Sequence, residues 1–135
     1  MRATIVDSNV LIDVLSADPT WGDWSSGALR TAGATGALVI NEVIYAEVSS
    51  RYSRVETFER ELPADDFLRA HTPWPAAFLA DKAFVEYKRR GGSKRSPLPD
   101  FFIGAHAAIV GLRLLTRDPS RYRTYFPRVE LIAPE

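Results

Sequence analysis

The chain has no cysteine, one methionine and two histidines in 135 residues. Without thiols it can build neither a disulfide framework nor a thiolate zinc site. That fits a reducing compartment, and a cytoplasmic location is the expectation. His71 has no second histidine at ligand spacing, and His106 lies inside an apolar helical stretch without an obvious metal partner; both read as structural. Charge of one sign is also missing, because Lys plus Arg and Asp plus Glu both number 17. A general polyanion binder is thereby excluded, and any nucleic-acid contact must come from local clusters. No apolar run approaches membrane-spanning length. No basic segment followed by an apolar stretch marks the N-terminus as a signal peptide. Neither an internal repeat nor a low-complexity tract is present.

What remains is an ordinary globular composition, 46% hydrophobic and 25% charged, long enough to bury a core as one domain over residues 1–135. Short apolar runs without alternation mark buried strands at Ile5-Val6, Leu38-Val39-Ile40 and Leu112 to Leu115, with a last strand at Val129 to Ile132. Between them the apolar spacing is helical. One helix follows Asp7, with Ser8 or Asn9 as its cap. Another carries Trp21, Trp24, Ala28 and Leu29. A third follows Asn41, a plausible N-cap, with Val43 and Ala46, joined by Ile44 and Val48, as candidates for its apolar face. Arg51 to Leu62 reads as a surface helix with Val55, Phe58 and Leu62 facing inward. Leu68 to Thr72 is a short strand or a helix end. Trp74 to Arg90 is the longest helix, with a stripe of Ala76, Ala80, Ala83, Phe84 and Tyr87. Pro99 opens a helix that is apolar almost all round and therefore central, with Gly104, Ala107 and Ala108 allowing close approach. Pro119 to Tyr122 is a short turn or helix. Alternation of this kind predicts an α/β fold with a mostly parallel sheet between helical layers.

Four acids draw notice within that frame. Right-handed crossovers put all strand carboxyl ends on one edge, which is where open sheets bind ligands. Asp7 and Asp118 stand on that edge. Asp100 leads the central helix, and Glu47 lies at the edge of a buried helical face, where a carboxylate needs a partner. Each has a bland explanation as a cap or a solvated group. Gathered in one cleft they would repel and require protons or a cation, and no lysine neighbours Asp7, Asp100 or Asp118. A hard divalent cation with oxygen ligands suits such a cluster, and such a site suits phosphodiester hydrolysis. Asp65 and Asp66 read as a solvated turn. Basic residues concentrate at Lys88, Arg89, Arg90, Lys94 and Arg95, on and after the Gly91-Gly92-Ser93 break, and again at Arg117, Arg121, Arg123 and Arg128.

Thr4-Ile5-Val6-Asp7-Ser8-Asn9-Val10-Leu11-Ile12, Tyr45-Ala46-Glu47, Leu98-Pro99-Asp100-Phe101 and Leu114-Leu115-Thr116-Arg117-Asp118 together resemble the PIN-domain nucleases. The likeness is greatest to the VapC-type toxins of bacterial and archaeal toxin–antitoxin pairs and covers nearly the whole chain. It implies a three-layer α/β/α PIN-like fold. It implies an acidic quartet of Asp7, Glu47, Asp100 and Asp118 holding Mg²⁺ or Mn²⁺, with Asn9 and Thr116 supporting it by hydrogen bonds. Glu42 is a further acid near Glu47 that assists or substitutes; Glu47 ranks first because it directly follows Tyr-Ala. An endoribonuclease is implied, with products carrying 5′-phosphate and 3′-hydroxyl ends. So are a homodimer and a VapB-type antitoxin partner, in a heterotetramer or larger assembly. Lys94 and Arg95, with Arg89 or Arg117, are the candidates to hold the backbone of single-stranded or loop RNA. Three other readings stand beside this one. A phosphoacceptor receiver domain would need a lysine where Arg117 stands, and a haloacid-dehalogenase-like phosphatase would need an aspartate at Asn9. A non-catalytic metal- or partner-binding protein on the same fold is the third.

Overall fold

A computed structural model describes residues 2–95 and 98–135. Thr4–Val6 (β1) is buried along its whole length and forms the centre of a five-stranded sheet. Ser8–Leu15 (α1) and Gly22–Thr35 (α2) follow it, joined by a turn in which Asp18 Oδ2 accepts from the N–H groups of Thr20 and Trp21 at 3.0 and 2.7 Å. Next come Leu38–Ile40 (β2), Glu42–Ser49 (α3), Val55–Glu61 (α4) and Leu68–Arg69 (β3). Trp74–Arg89 (α5) and Pro99–Val110 (α6) lead to Arg113–Leu115 (β4), Ser120–Tyr125 (α7) and Leu131–Ile132 (β5). The strand order is β3-β2-β1-β4-β5, and every pairing is parallel. The sheet is thus all-parallel rather than mostly parallel, and among the described residues seven helices flank it in the α/β/α arrangement.

Strands of two or three residues hold because the side chains between sheet and helices are sealed from water. Ile5, Val6, Ile40, Leu114 and Leu115 are at most 1% exposed, and each such aliphatic burial is worth about 1.5–3 kcal/mol. α6 is the central helix: it packs on α3, α5 and α7, and Phe101 and Ile103 to Ala107 are buried. Gly104 is required there, since a Cβ at that position would lie 2.4 Å from the Phe126 ring. The helix ends in Gly111 at φ 83°, a left-handed terminator that favours glycine.

The structure differs from the sequence expectations in three places and settles a fourth. Residues 51–54 are not helical; α4 starts at Val55, which is exposed, while Phe58 and Leu62 do face the core. The buried face of α3 carries Ile44 and Val48, with Ala46 outside. α6 is apolar all round but buried only over its first two turns; Ala108, Ile109 and Val110 are exposed. The segment after Pro63 resolves in favour of a strand, β3. Ser96 and Pro97 of the expected basic loop lie outside the described residues.

Candidate active site

The strand order reverses between β1 and β4, because the chain runs outward through β2 and β3 and returns to the other side of β1. A crevice at the carboxyl ends of two such strands is where doubly wound sheets bind ligands. The register Val6 opposite Leu115 sets Asp7 and Thr116 side by side there, and the Asp7 N–H donates to Leu115 O at 2.9 Å. Asp7 itself, rather than Ser8 or Asn9, is the cap of α1: its backbone is extended and its Oδ1 accepts from Ser8 N–H at 2.8 Å. Its Oδ2 accepts from Tyr122 OH at 2.8 Å and Thr116 Oγ1 at 2.9 Å, with Asn9 Nδ2 at 3.4 Å. Asn9 Nδ2 also reaches Thr116 Oγ1 at 3.3 Å, and its Oδ1 accepts from Arg117 N–H at 3.1 Å. Thr116 Oγ1 accepts from Asp118 N–H at 3.1 Å. Asn9 and Thr116 therefore stitch the loop bearing Asp118 to the first turn of α1.

Electrostatics connect the four acids. Asp7 is 3% exposed, and its carboxyl is pushed up to about 6, by burial first and then by Asp100. The Tyr122 and Thr116 hydroxyls pull the other way, and Glu47 adds to the rise. The Asp100 carboxyl is raised by burial, against the opposing charge of Arg121, with Asp118 adding to the rise. Glu47, two turns into α3, is raised by burial and by Asp100, while the Ser8 hydroxyl donating to its Oε1 at 2.8 Å opposes this. Asp118 is exposed on the rim. Burial and the Asp7 charge lift the Tyr122 phenol well above its ordinary range, which keeps it a hydrogen-bond donor.

These groups form one acidic neighbourhood, yet as placed they do not converge on one point. Among the described residues no three acidic or imidazole side chains lie close enough to ligate a single ion. Arg121 Nη1 holds Asp100 Oδ2 at 3.0 Å, and Ser8 holds Glu47. The chemistry of the donor set still fits a hard divalent cation: every acidic group is a carboxylate oxygen donor, and no sulfur or free imidazole competes. His106 is buried and neutral, its Nδ1 3.1 Å from the amide of Asn41; burial holds its pKa below the ordinary value. Asn41 in turn caps α3 through Ile44 N–H at 2.9 Å.

The remaining expected residues lie elsewhere. Glu42 accepts from the Thr72 hydroxyl and N–H at 2.7 and 2.9 Å and pairs with the exposed His71. Burial pushes it up, but the Thr72 donors outweigh that and hold its carboxyl below the usual range; it ties α3 to the segment before α5. Arg117, expected along the RNA path, is instead committed to Asp13. Its Nε and Nη2 reach the two carboxylate oxygens at 2.8 and 3.1 Å, and its guanidinium lies over Trp21. Lys94 and Arg95 are exposed. Three contacts were missed in the sequence: Ser8 to Glu47, Tyr122 to Asp7 and Arg121 to Asp100. The available signal was spacing. A helix starting just after Asp118-Pro119 returns its first turn, residues 120–122, to the strand end it left.

A model of the PIN domain family matches residues 4–127. No curated protein matches the sequence significantly. Among solved structures, the chain is similar to VapBC2 from Rickettsia felis, bound to a DNA fragment of its promoter, with a TM-score of 0.76, 15% identity and 98% and 99% of the two chains covered. It is similar to a toxin–antitoxin complex from Klebsiella pneumoniae, with a TM-score of 0.69, 23% identity and 98% of each chain covered. It is also similar to VapC20 of Mycobacterium tuberculosis, a Sarcin-Ricin loop cleaving toxin, with a TM-score of 0.61, 14% identity and 94% and 98% covered. These similarities carry the fold, and with the family match spanning nearly all of the chain, this protein belongs to the PIN domain family.

Proposed function

We propose that this chain is a metal-dependent endoribonuclease and the toxin of a VapBC-type toxin–antitoxin pair. The observation that carries the reading is the electrostatic coupling of Asp7 to Asp100 and Glu47, and of Asp100 to Asp118, at the β1/β4 crevice. Carboxylates gathered from four distant segments at one strand edge are costly to the fold, and binding a cation is the use that repays it. In this reading Asp7, Glu47, Asp100 and Asp118 hold Mg²⁺ or Mn²⁺. Bound there, the ion lowers the pKa of water and shields charge growing on a phosphate. The chain's own residues do the rest. Tyr122, Thr116 and Asn9 fix the Asp7 carboxylate, Ser8 fixes Glu47, and the exposed Lys94 and Arg95 steer the RNA backbone without reading its sequence. The products carry 5′-phosphate and 3′-hydroxyl ends. Two of the similar structures, VapBC2 and the Klebsiella pneumoniae complex, are toxin–antitoxin complexes, which supports a cognate VapB-type antitoxin as partner; the assembly proposed is a dimer of toxins with it. The sarcin–ricin loop cleaved by one of them supports structured single-stranded RNA as the substrate class.

The test is cleavage of single-stranded and loop RNA with Mg²⁺ or Mn²⁺, against a chelator control. D7N and D100N are expected to lose at least about a hundredfold in rate while keeping the wild-type circular dichroism spectrum. Undiminished cleavage in either variant, or cleavage indifferent to the chelator, overturns the assignment.

A further inference from the structure

Arg121 is the one arginine among the described residues whose guanidinium is bonded to an acid of the candidate site. The bond is single: Nη1 reaches Asp100 Oδ2 at 3.0 Å, and among the described residues its other N–H groups have no protein acceptor. Its guanidinium lies 5.8 and 6.0 Å from the ring centres of Tyr87 and Phe101, which keeps the group beside the crevice whether or not it touches Asp100. The two side chains are 38% and 33% exposed, so the pair is screened and readily exchanged. The neighbouring residue, Tyr122, reaches Asp7 from the same turn. α7 thus presents a fixed donor to one acid and a movable cation to another.

We propose that Arg121 and a divalent cation compete for Asp100, and that the displaced guanidinium, still stacked at the crevice, takes the phosphodiester of the RNA. This rests on the nuclease reading of the same site and adds to it a substrate-binding residue with a built-in exchange. A guanidinium suits the second role because its planar fork matches two phosphate oxygens. Before the exchange it offsets the charge of Asp100; after it, it opposes the charge of the substrate.

Two measurements on the intact chain test this, comparing the wild type, R121Q and R123Q. Arg123 is exposed on the same short helix, so R123Q matches the charge change without touching Asp100. In Mn²⁺ titration by calorimetry, R121Q is expected to bind about fivefold tighter than wild type, and R123Q equally. With Mn²⁺ saturating, binding of a 2′-O-methyl oligonucleotide that cannot be cleaved is expected to weaken about three- to tenfold in R121Q and to change little in R123Q. Equal Mn²⁺ affinity in wild type and R121Q, or unweakened oligonucleotide binding, overturns the exchange and leaves the nuclease reading standing. Equal shifts in R121Q and R123Q reduce the effect to bulk charge and overturn it too. Absence of Mn²⁺ binding in wild type overturns the nuclease reading and the exchange together.

Discussion

Two arginine–aspartate pairs stand within a few residues of each other in sequence, and they are built for opposite purposes. Arg117 grips Asp13 with two bonds, and Ser25 Oγ donates to the same carboxylate at 2.8 Å. The Asp13 side chain is 2% exposed. Arg121 touches Asp100 once, and a third or more of each side chain is open to water. The first pair locks the α1–α2 hairpin to the loop after β4, and through Asn9 and the Arg117 N–H it sets where Asp118 stands. The second leaves a site acid free to change partner. Charge alone does not distinguish a clamp from an exchangeable contact; burial and the number of bonds do.

The comparison breaks most visibly at Asp13. D13A removes a buried, triply bonded carboxylate but leaves Arg117 about a third exposed to water, so a loss of about 1–3 kcal/mol is expected in urea denaturation. D100A, by contrast, is expected to change stability by less than about 1 kcal/mol at pH 7. Similar losses in the two variants would erase the distinction. The next effect concerns Asp7. Its carboxyl titrates near 6 in the fold against about 3.8 when unfolded, so the folded state holds the proton more tightly. That contributes stability which is fully present below pH 3.8 and is lost as pH rises through 6. A shift of this size is about 3 kcal/mol. The stability of D7N relative to wild type should therefore improve by up to about that amount between pH 4 and pH 7.5. A flat difference over that range contradicts the coupling. The smallest effect is on Arg121: R121Q is expected to stay within about 1 kcal/mol of wild type in stability, whereas R117Q, which strands buried Asp13, is not.

Much of this was readable in the sequence. Short apolar runs such as Ile5-Val6 and Leu114-Leu115 signal parallel strands, and an acid or hydroxyl immediately after each marks the carboxyl edge. Pro99 at the first turn and Gly111 at the last fixed the limits of α6. The resemblance of four motifs to the PIN-domain nucleases brought out Asp7, Glu47, Asp100 and Asp118; Asp7, Asp100 and Asp118 stand at or near element boundaries, whereas Glu47 lies within α3. What escaped depends on side-chain direction across the fold. Glu42 and Glu47 look alike along the chain, yet five residues rotate a helix by well over a quarter turn, so one faces Thr72 and the other Ser8. Arg117 and Arg121 look equally basic, and only the buried carboxylate of Asp13 opposite one of them reveals the difference. The depth of α6 was overestimated because an apolar surface does not specify whether this chain or another molecule covers it; Ile109 and Val110 are exposed.

The most direct measurement of the central proposal, that the four separated carboxylates together serve divalent-cation binding, is thermal denaturation at pH 7.5 with and without Mn²⁺. At a hundred times Kd the ion should stabilise the wild type by about 2.7 kcal/mol. The expected result is a raised Tm in wild type that D7N, E47Q, D100N and D118N each largely abolish. A wild type indifferent to Mn²⁺, or a Tm rise that survives all four substitutions, contradicts the account.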